Sequence, residues 1–200
     1  MISRNEFNEY VTREQYDRIQ QHKVTNAIIL AAGKSKRFKP ISDYCPKGLS
    51  IIKGEVLVER QIKQLQAVGV TDITLVVGYK KEMFFYLADK YDVKIVINEQ
   101  YDTQDNVSSL RLVLDQLDNT YICSVDNYYP ENLFNTYEYR GFYSTIYVEN
   151  NVDEWVVTTD ESGMINDVNI GVPSGYIMLG FVYFDREFSC LLYTSPSPRD

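Results

Sequence analysis

Short continuous apolar runs alternate along the chain with stretches in which apolar residues recur every three or four positions. Residues 24–31, 73–77 and 121–125 are runs of the first kind and predict buried strands, and residues 93–97 predict a further strand. Between the first two, Val58, Ile62 and Leu65 stand at i, i+4 and i+7 and predict a helix that ends at Gly69. Residues 80–90 predict a second helix, and Val107, Leu110, Leu114 and Leu117 mark the apolar face of a third. Strands that alternate with helices imply βαβ crossovers. The expected class is therefore α/β, a Rossmann-like three-layer sandwich around a mostly parallel, mixed central sheet. After Pro130 the pattern changes: residues 142–148, 154–159 and 176–184 predict strands separated by Gly and Asn turns, a β-rich region built on the first half.

The two ends stand apart from this alternation. Residues 1–23 are polar and read as an N-terminal extension, with Thr12-Arg13-Glu14-Gln15 as a capping box for a short helix carrying Tyr16 and Ile19. The last eleven residues, from Cys190 to Asp200, break from the preceding pattern and resemble a translated sequencing adapter. They are expected to be a non-native tail, which leaves residues 24–189 as one domain, truncated at its C-terminal side. Two hundred residues with 44% hydrophobic content suffice for one substantial core. No run approaches the length of a membrane span and the first residues lack a signal-peptide stretch, so a cytoplasmic protein without membrane insertion is expected. Cys45, Cys123 and Cys190 are few, odd in number and far apart, which favours reduced thiols over a disulfide framework or a zinc site.

The first strand ends in Ala31-Ala32-Gly33, and Lys34, Lys36, Arg37, Lys39, Lys47 and Lys53 follow against a single acid, Asp43. Residues 34–53 thus carry +5 in a chain of net charge −8, leaving −13 elsewhere. A basic island in an acidic protein suits a small polyanion such as a nucleoside triphosphate, and it suits nucleic acid poorly. Small residues allow close backbone approach, loop N–H groups can face phosphate oxygens, and the cations supply counter-charge. Two common phosphate loops are excluded by spacing. Ser35 and Phe38 stand where G-x-G-x-x-G needs glycines, and Phe38-Lys39 stand where a Walker loop needs Gly-Lys.

Ligands of such sheets bind at the carboxyl ends of the strands, which puts Ala32-Gly33 and Asp126-Asn127 on one edge. Asp126 there can hold a Mg²⁺ ion against triphosphate oxygens, or can simply cap the turn after its strand. The only histidine, His22, lies outside the domain as read here. A phosphate monoester has a second pKa of about 6 and arrives largely as a dianion, so its attack on a phosphate needs no general base.

Leu30-Ala31-Ala32-Gly33-x-x-x-Arg37-Phe38-x-Pro40, followed by Pro46-Lys47, resembles the signature of the nucleotidylyltransferases that join a nucleoside triphosphate to a phosphorylated sugar or alcohol. Most of that family reads Gly-x-Gly-x-Arg, whereas Ser35 stands here at the second glycine, a departure tolerable if its φ stays below zero. The resemblance implies that Arg37 forks onto the β and γ phosphates, that Lys47 serves the α-phosphate or the incoming phosphate, and that Asp126 is the metal ligand. It also implies nucleotide contacts from Ala31, Ala32 and Gly33, and from Asn106 and Ser109 near the base and ribose, although Asn106 is equally a plain helix N-cap. In some bacterial relatives a winged-helix domain lies upstream, of which residues 1–23 would be a remnant.

Trp155, the only tryptophan, follows Asp153-Glu154. An aromatic face beside carboxylates binds quaternary ammonium, but a lone Trp is also commonly a core residue. Residues 151–156 resemble the Glu-Trp segment of bacterial phosphocholine cytidylyltransferases. That resemblance assigns Glu154 and Trp155 to the acceptor site and implies CTP and phosphocholine as substrates, with Mg²⁺. It further implies a second metal carboxylate beyond the point where the foreign tail begins, so that this 200-residue chain is expected to turn over poorly. Two alternatives stay open: a sugar-1-phosphate nucleotidylyltransferase, in which Trp155 is structural, and a non-catalytic nucleotide-binding regulatory module.

Overall fold

A computed structural model describes residues 2–102 and 106–194, the side chains of residues 106, 107, 150–153, 193 and 194 excepted. Its centre is a six-stranded sheet with the order β5-β4-β1-β6-β8-β7. β1 (Asn26–Ala31) lies between β4 (Ile73–Val77) and β6 (Thr120–Ser124), parallel to both, and β5 (Lys94–Ile97) extends the parallel set beyond β4. β8 (Ile165–Phe184) joins β6 antiparallel, and β7 (Phe142–Thr159) pairs antiparallel with β8. The expected mixed, mostly parallel sheet is what forms.

The central strands are mostly apolar on both faces because both faces are covered. Successive β1 residues alternate between two cores. Ala27, Ile29 and Ala31 pack with Val58, Ile62 and Leu65 of α2 (Leu57–Ala67) and with Leu87 of α3 (Tyr86–Tyr91). Ile28 faces the other way, toward Val113, Leu117 and Val182, with Leu110 of α4 (Asn106–Arg111) and Leu192 of α5 (Arg186–Thr194) against them. The result is a three-layer sandwich. Helix α5 runs through Ser189 and across the point where the sequence pattern breaks. A two-residue hairpin, β2 (Ile51–Ile52) and β3 (Glu55–Val56), turns at Lys53 and Gly54, both at positive φ, and leads directly into α2.

Several elements depart from the expected pattern. The capping box at Thr12 does not form. The N-terminal helix is α1 (Arg4–Thr12), closed by the same motif earlier in the chain, where the Ser3 hydroxyl accepts from the Glu6 N–H and the Glu6 carboxylate accepts from the Ser3 N–H. Tyr16–Arg18 is a single 3₁₀ turn, and Ile19 is fully buried. Residues 2–23 lie against the domain: Phe7 packs on His22 and Tyr139, and Asn119 donates to the carbonyls of Gln21 and Lys23.

The second predicted helix is a 3₁₀ turn, Lys81–Phe84, followed by α3, with Lys80 and Asp92 at positive φ at either end. The third breaks after Arg111 and resumes as a 3₁₀ turn, Leu114–Gln116. Polar pins explain the break: the Gln116 carbonyl accepts from Asn26, and its side-chain oxygen accepts from Thr74. A continuous helix would withdraw those groups from the sheet.

The three predicted late strands merge into one hairpin of 18- and 20-residue strands. Its turn is built on Asp160, whose Oδ1 accepts from the N–H groups of Ser162 and Met164, with Gly163 at φ 80°. The hairpin doubles back on itself. Val156 and Val157 bridge Ile177 and Tyr176 in addition to their hairpin partners, and the Arg140 guanidinium at the base reaches the Ser162 carbonyl at the tip. Among the described residues no helix is long and apolar enough to cross a membrane.

One buried carboxylate fastens α2 to α3. Glu59 is 8% exposed and accepts from Tyr86 Oη at 2.8 Å, Tyr91 Oη at 2.7 Å and Lys90 Nζ at 2.9 Å. Burial works to raise its pKa, but the hydrogen bonds from Tyr91, Lys90 and Tyr86 together outweigh burial and leave it below the ordinary value. A carboxylate with a depressed folded-state pKa stabilises the fold above its unfolded value, about 4.3, and that contribution is lost as pH falls through the folded value. Glu59→Gln should therefore lower stability by roughly 1–3 kcal/mol at pH 7. Urea denaturation at pH 7 and pH 3 tests this, and the gap between the two proteins should narrow at the acid end.

Candidate active site

Parallel pairing decides what meets at the sheet's carboxyl edge. Leu30 is in register with Ser124, and the Val125 N–H donates to the Leu30 carbonyl at 3.1 Å. Residues 31–33 therefore lie beside Asp126 although nearly a hundred positions separate them in sequence. Pro46 at φ −55° starts the 3₁₀ turn Lys47–Leu49, which carries Lys47 across this edge. Lys47 Nζ donates to Asp126 Oδ2 at 2.6 Å.

A cleft of about 100 Å³ opens here, lined by Ala31, Gly33, Ser35, Lys47, Gly48 and Asp126, among others. Whole-ligand pockets run to several hundred Å³, so this volume matches phosphate groups and an ion rather than an entire nucleotide. Gly48 is required by closeness: a Cβ on it would stand 2.3 Å from Val125 Cγ2. Gly78 has the same constraint, since a Cβ there would meet Tyr101 Cβ at 2.7 Å and the Ala32 carbonyl at 2.9 Å. The Tyr79 N–H donates to that carbonyl, holding the start of the basic loop to the end of β4.

Ser35 sits in the left-handed region at φ 50°, ψ 46°, so the condition under which serine would be a mild departure from the family's glycine is not met. The turn needs a conformation that glycine adopts freely, and serine holds it at a cost of about 1 kcal/mol. The loop is fastened on its far side. Lys34 pairs with Asp102, which holds the Lys34 pKa above and the Asp102 pKa below their ordinary values, and its ammonium lies 5.7 Å from the centre of the Tyr101 ring.

Arg37 follows in the 3₁₀ turn Lys36–Phe38, and its side chain is 95% exposed. Its Nη1 lies 3.3 Å from Glu154 Oε1, so the basic loop touches the hairpin through two residues singled out from the sequence. Trp155 is 56% exposed, which excludes the core reading. The pairing of β7 with β8 is irregular between Val152 and Trp155. Ser109 is 3% exposed, its hydroxyl accepts from the Asn98 amide at 2.9 Å, and it is not among the residues that line the cleft. The Asn106 side chain lies outside the described residues.

Sequence reasoning missed Gly48, Asp102, Asn98 and Gln61. Asn98 closes β5, donates to Ser108 and Ser109, and accepts from the Gln100 N–H. Gln61 donates to the carbonyls of Ser124 and Asn127. Gly48 follows Lys47 directly and could have been suspected, but the others act across elements and leave no local signal.

Residues 27–136 match the model of the MobA-like NTP transferase domain. The chain belongs to this nucleotidyltransferase family. It is 36% identical over 159 residues to the choline-phosphate cytidylyltransferase of Streptococcus pneumoniae, which spans 80% of this chain and 69% of that protein. It is 35% identical over 164 residues to the 2-aminoethylphosphonate cytidylyltransferase of Lancefieldella rimae, with 80% and 67% covered. The solved structure of the S. pneumoniae CTP:phosphocholine cytidylyltransferase LicC superposes with a TM-score of 0.77 at 34% identity, over 84% of this chain and 77% of that one.

Nucleotidyltransferases of this family generally use a divalent metal. Among the described residues no group of three or more His, Cys, Asp or Glu side chains could hold an ion. Asp126, with 39% of its side chain exposed at the cleft, fits the role of a single protein carboxylate, with phosphate oxygens and water completing the shell.

Two substitutions in this nucleotidyltransferase loop have opposite expected signs. Ser35→Gly should raise stability by roughly 0.5–1 kcal/mol by removing the left-handed serine, less what glycine adds to the unfolded chain's freedom. Gly48→Ala should lower it by roughly 1–3 kcal/mol, because the methyl group has nowhere to go but into Val125. Denaturant midpoints measured at constant m-value check both.

Proposed function

We propose that the protein is a Mg²⁺-dependent cytidylyltransferase that converts CTP and phosphocholine to CDP-choline and pyrophosphate. The observation that carries the chemistry is the contact of Lys47 with Asp126 at the mouth of the Ala-Ala-Gly loop, a cation and a carboxylate poised where a triphosphate fits. Relatives with cytidylyltransferase names at 36% and 35% identity support the choice of base and acceptor class.

In this reading an oxygen of the phosphocholine dianion attacks the α-phosphorus in line, forming the new P–O bond as the bond to the pyrophosphate oxygen breaks. No general base is needed. Lys47 leaves Asp126 for the α-phosphate or the incoming phosphate, Arg37 exchanges Glu154 for the β and γ phosphates, and Asp126 is then free to hold Mg²⁺. When bound, Mg²⁺ supplies charge neutralisation on the phosphate oxygens. Backbone of Ala31, Ala32 and Gly33 meets the nucleotide closely, and Asn106 and Ser109 belong to the base and ribose side. Glu154 and Trp155 would receive the choline cation, the indole by cation–π attraction and the carboxylate by charge. The site is formed from residues 24–189, with 1–23 as an N-terminal extension and 190–200 as a non-native tail. In this reading the enzyme works in the cytoplasm.

The second reading changes only the acceptor. A primary ammonium, as in 2-aminoethylphosphonate, would use Glu154 more than Trp155. The test is pyrophosphate release with CTP and Mg²⁺, comparing phosphocholine, 2-aminoethylphosphonate and glucose 1-phosphate, with thermal protection by each acceptor in the presence of CTP as a parallel readout. Phosphocholine should be preferred, and Trp155→Ala should raise its KM about tenfold with the KM for CTP unchanged, since a desolvated cation–π contact reaches about 2 kcal/mol. Preference for the sugar phosphate, indifferent to Trp155, would discard the acceptor. Triphosphate binding without release or protection by any acceptor would favour a non-catalytic nucleotide-binding module.

A further inference from the structure

Helix α2 turns its inner face to the core, and that face should be apolar. Leu57, Val58, Ile62 and Leu65 comply, but Gln61 and Gln64 do not, although they are only 1% and 9% exposed. Both amides are aimed at one segment of backbone. Gln61 Nε2 donates to the Ser124 carbonyl at 3.0 Å and to the Asn127 carbonyl at 2.9 Å. Gln64 Nε2 donates to the carbonyls of Tyr129 and Glu131, further along.

The two carbonyls held by Gln61 flank Asp126. A single amide thus clamps both ends of the turn that presents the carboxylate, and no other side chain among the described residues makes that pair of bonds. The fold accepts a burden for it, because Gln61 Oε1 is buried without a partner. A methionine of similar length would fill the same space and remove that orphaned oxygen, at the loss of both bonds to the turn. The opposite side of the turn is held by different means. Asn127 Nδ2 donates to the Leu179 carbonyl at 2.6 Å, and Gly180, at φ 68°, lets β8 approach so closely that a Cβ would stand 2.4 Å from Ser124 Oγ.

We infer that Gln61 is a positioning residue that sets the Asp126 carboxylate for the metal-bound triphosphate. The inference rests on the metal role proposed above for Asp126. Gln61 touches neither nucleotide nor ion; it acts through the turn. A carboxylate that must complete an ion's shell with phosphate oxygens tolerates little displacement, because Mg²⁺ demands near-ideal octahedral geometry. Gln64 is the built-in comparison, with the same residue type, the same helix face and the same kind of bond, but to carbonyls that do not flank Asp126.

The experiment compares Gln61→Met and Gln64→Met in the full chain. The first readout is the rise in Tm given by CTP with Mg²⁺, minus the rise given by CTP with EDTA. The second is the Mg²⁺ concentration for half-maximal pyrophosphate release. Both variants should unfold at lower temperature than the parent. Only Gln61→Met should lose at least half of the metal-dependent rise and need about fivefold more Mg²⁺, with the KM for the acceptor within twofold. An unchanged metal-dependent rise in Gln61→Met, or an equal loss in Gln64→Met, would overturn the inference. If Gln61→Met does not fold, Gln61→Asn, which keeps the amide but withdraws it by one methylene, carries the same comparison. A parent protein with no metal-dependent rise at all would refute the metal role of Asp126 itself, and the inference with it.

Discussion

Parallel pairing of β1 with both β4 and β6 is the constraint from which the rest of the molecule follows. Parallel neighbours require crossovers, the crossovers supply helices, and the helices bury both faces of the strands. The same pairing turns the C-terminal ends of three strands in one direction. At that edge the chain must leave the sheet, so the backbone is released from ladder bonds and becomes available for other partners. The Ala-Ala-Gly turn, the Gly78-Tyr79 turn and the Asp126 turn all lie there. Contact between Lys47 and Asp126 is a consequence of strand order rather than of any local preference of those residues.

Features that depend on local pattern were legible in the sequence. The buried strands and helix α2 follow from runs and periodicity within a few residues. The juxtaposition of the basic loop with Asp126 was also legible, because the carboxyl-edge rule converts strand order into proximity. Features set by distant partners were not. The interrupted helix after Arg111 answers to Asn26 and Thr74, and the merged hairpin answers to its own doubling back. Ser35 is a third case. Its residue type argues for ordinary φ, yet the loop imposes the left-handed conformation that the family's glycine would supply.

The site residues divide in the same way. Arg37 and Lys47 were marked by the resemblance of their loop to the family signature and Asp126 by its place at a strand end; Lys47 and Asp126 meet at the cleft, while Arg37 stands exposed beside Glu154. Glu154 joins them through Arg37, which ties the hairpin to the basic loop. Trp155 stands exposed on the hairpin rather than in the core. The supports behind these groups are glycines that permit close approach and amides that hold carbonyls. Such residues carry no charge pattern or motif, so only the fold shows them.

The hairpin has a consequence of a different kind. Much of its surface faces water, and it meets the central sheet chiefly where β8 joins β6 and where Asn127 and Gly180 touch. Few of its outer positions are needed to keep the molecule folded. If Glu154 and Trp155 receive the acceptor as proposed, selection can therefore rework the hairpin while the carboxyl edge of the sheet stays intact. A lineage can inherit the transfer chemistry unchanged and adopt new partners for it, one hairpin substitution at a time.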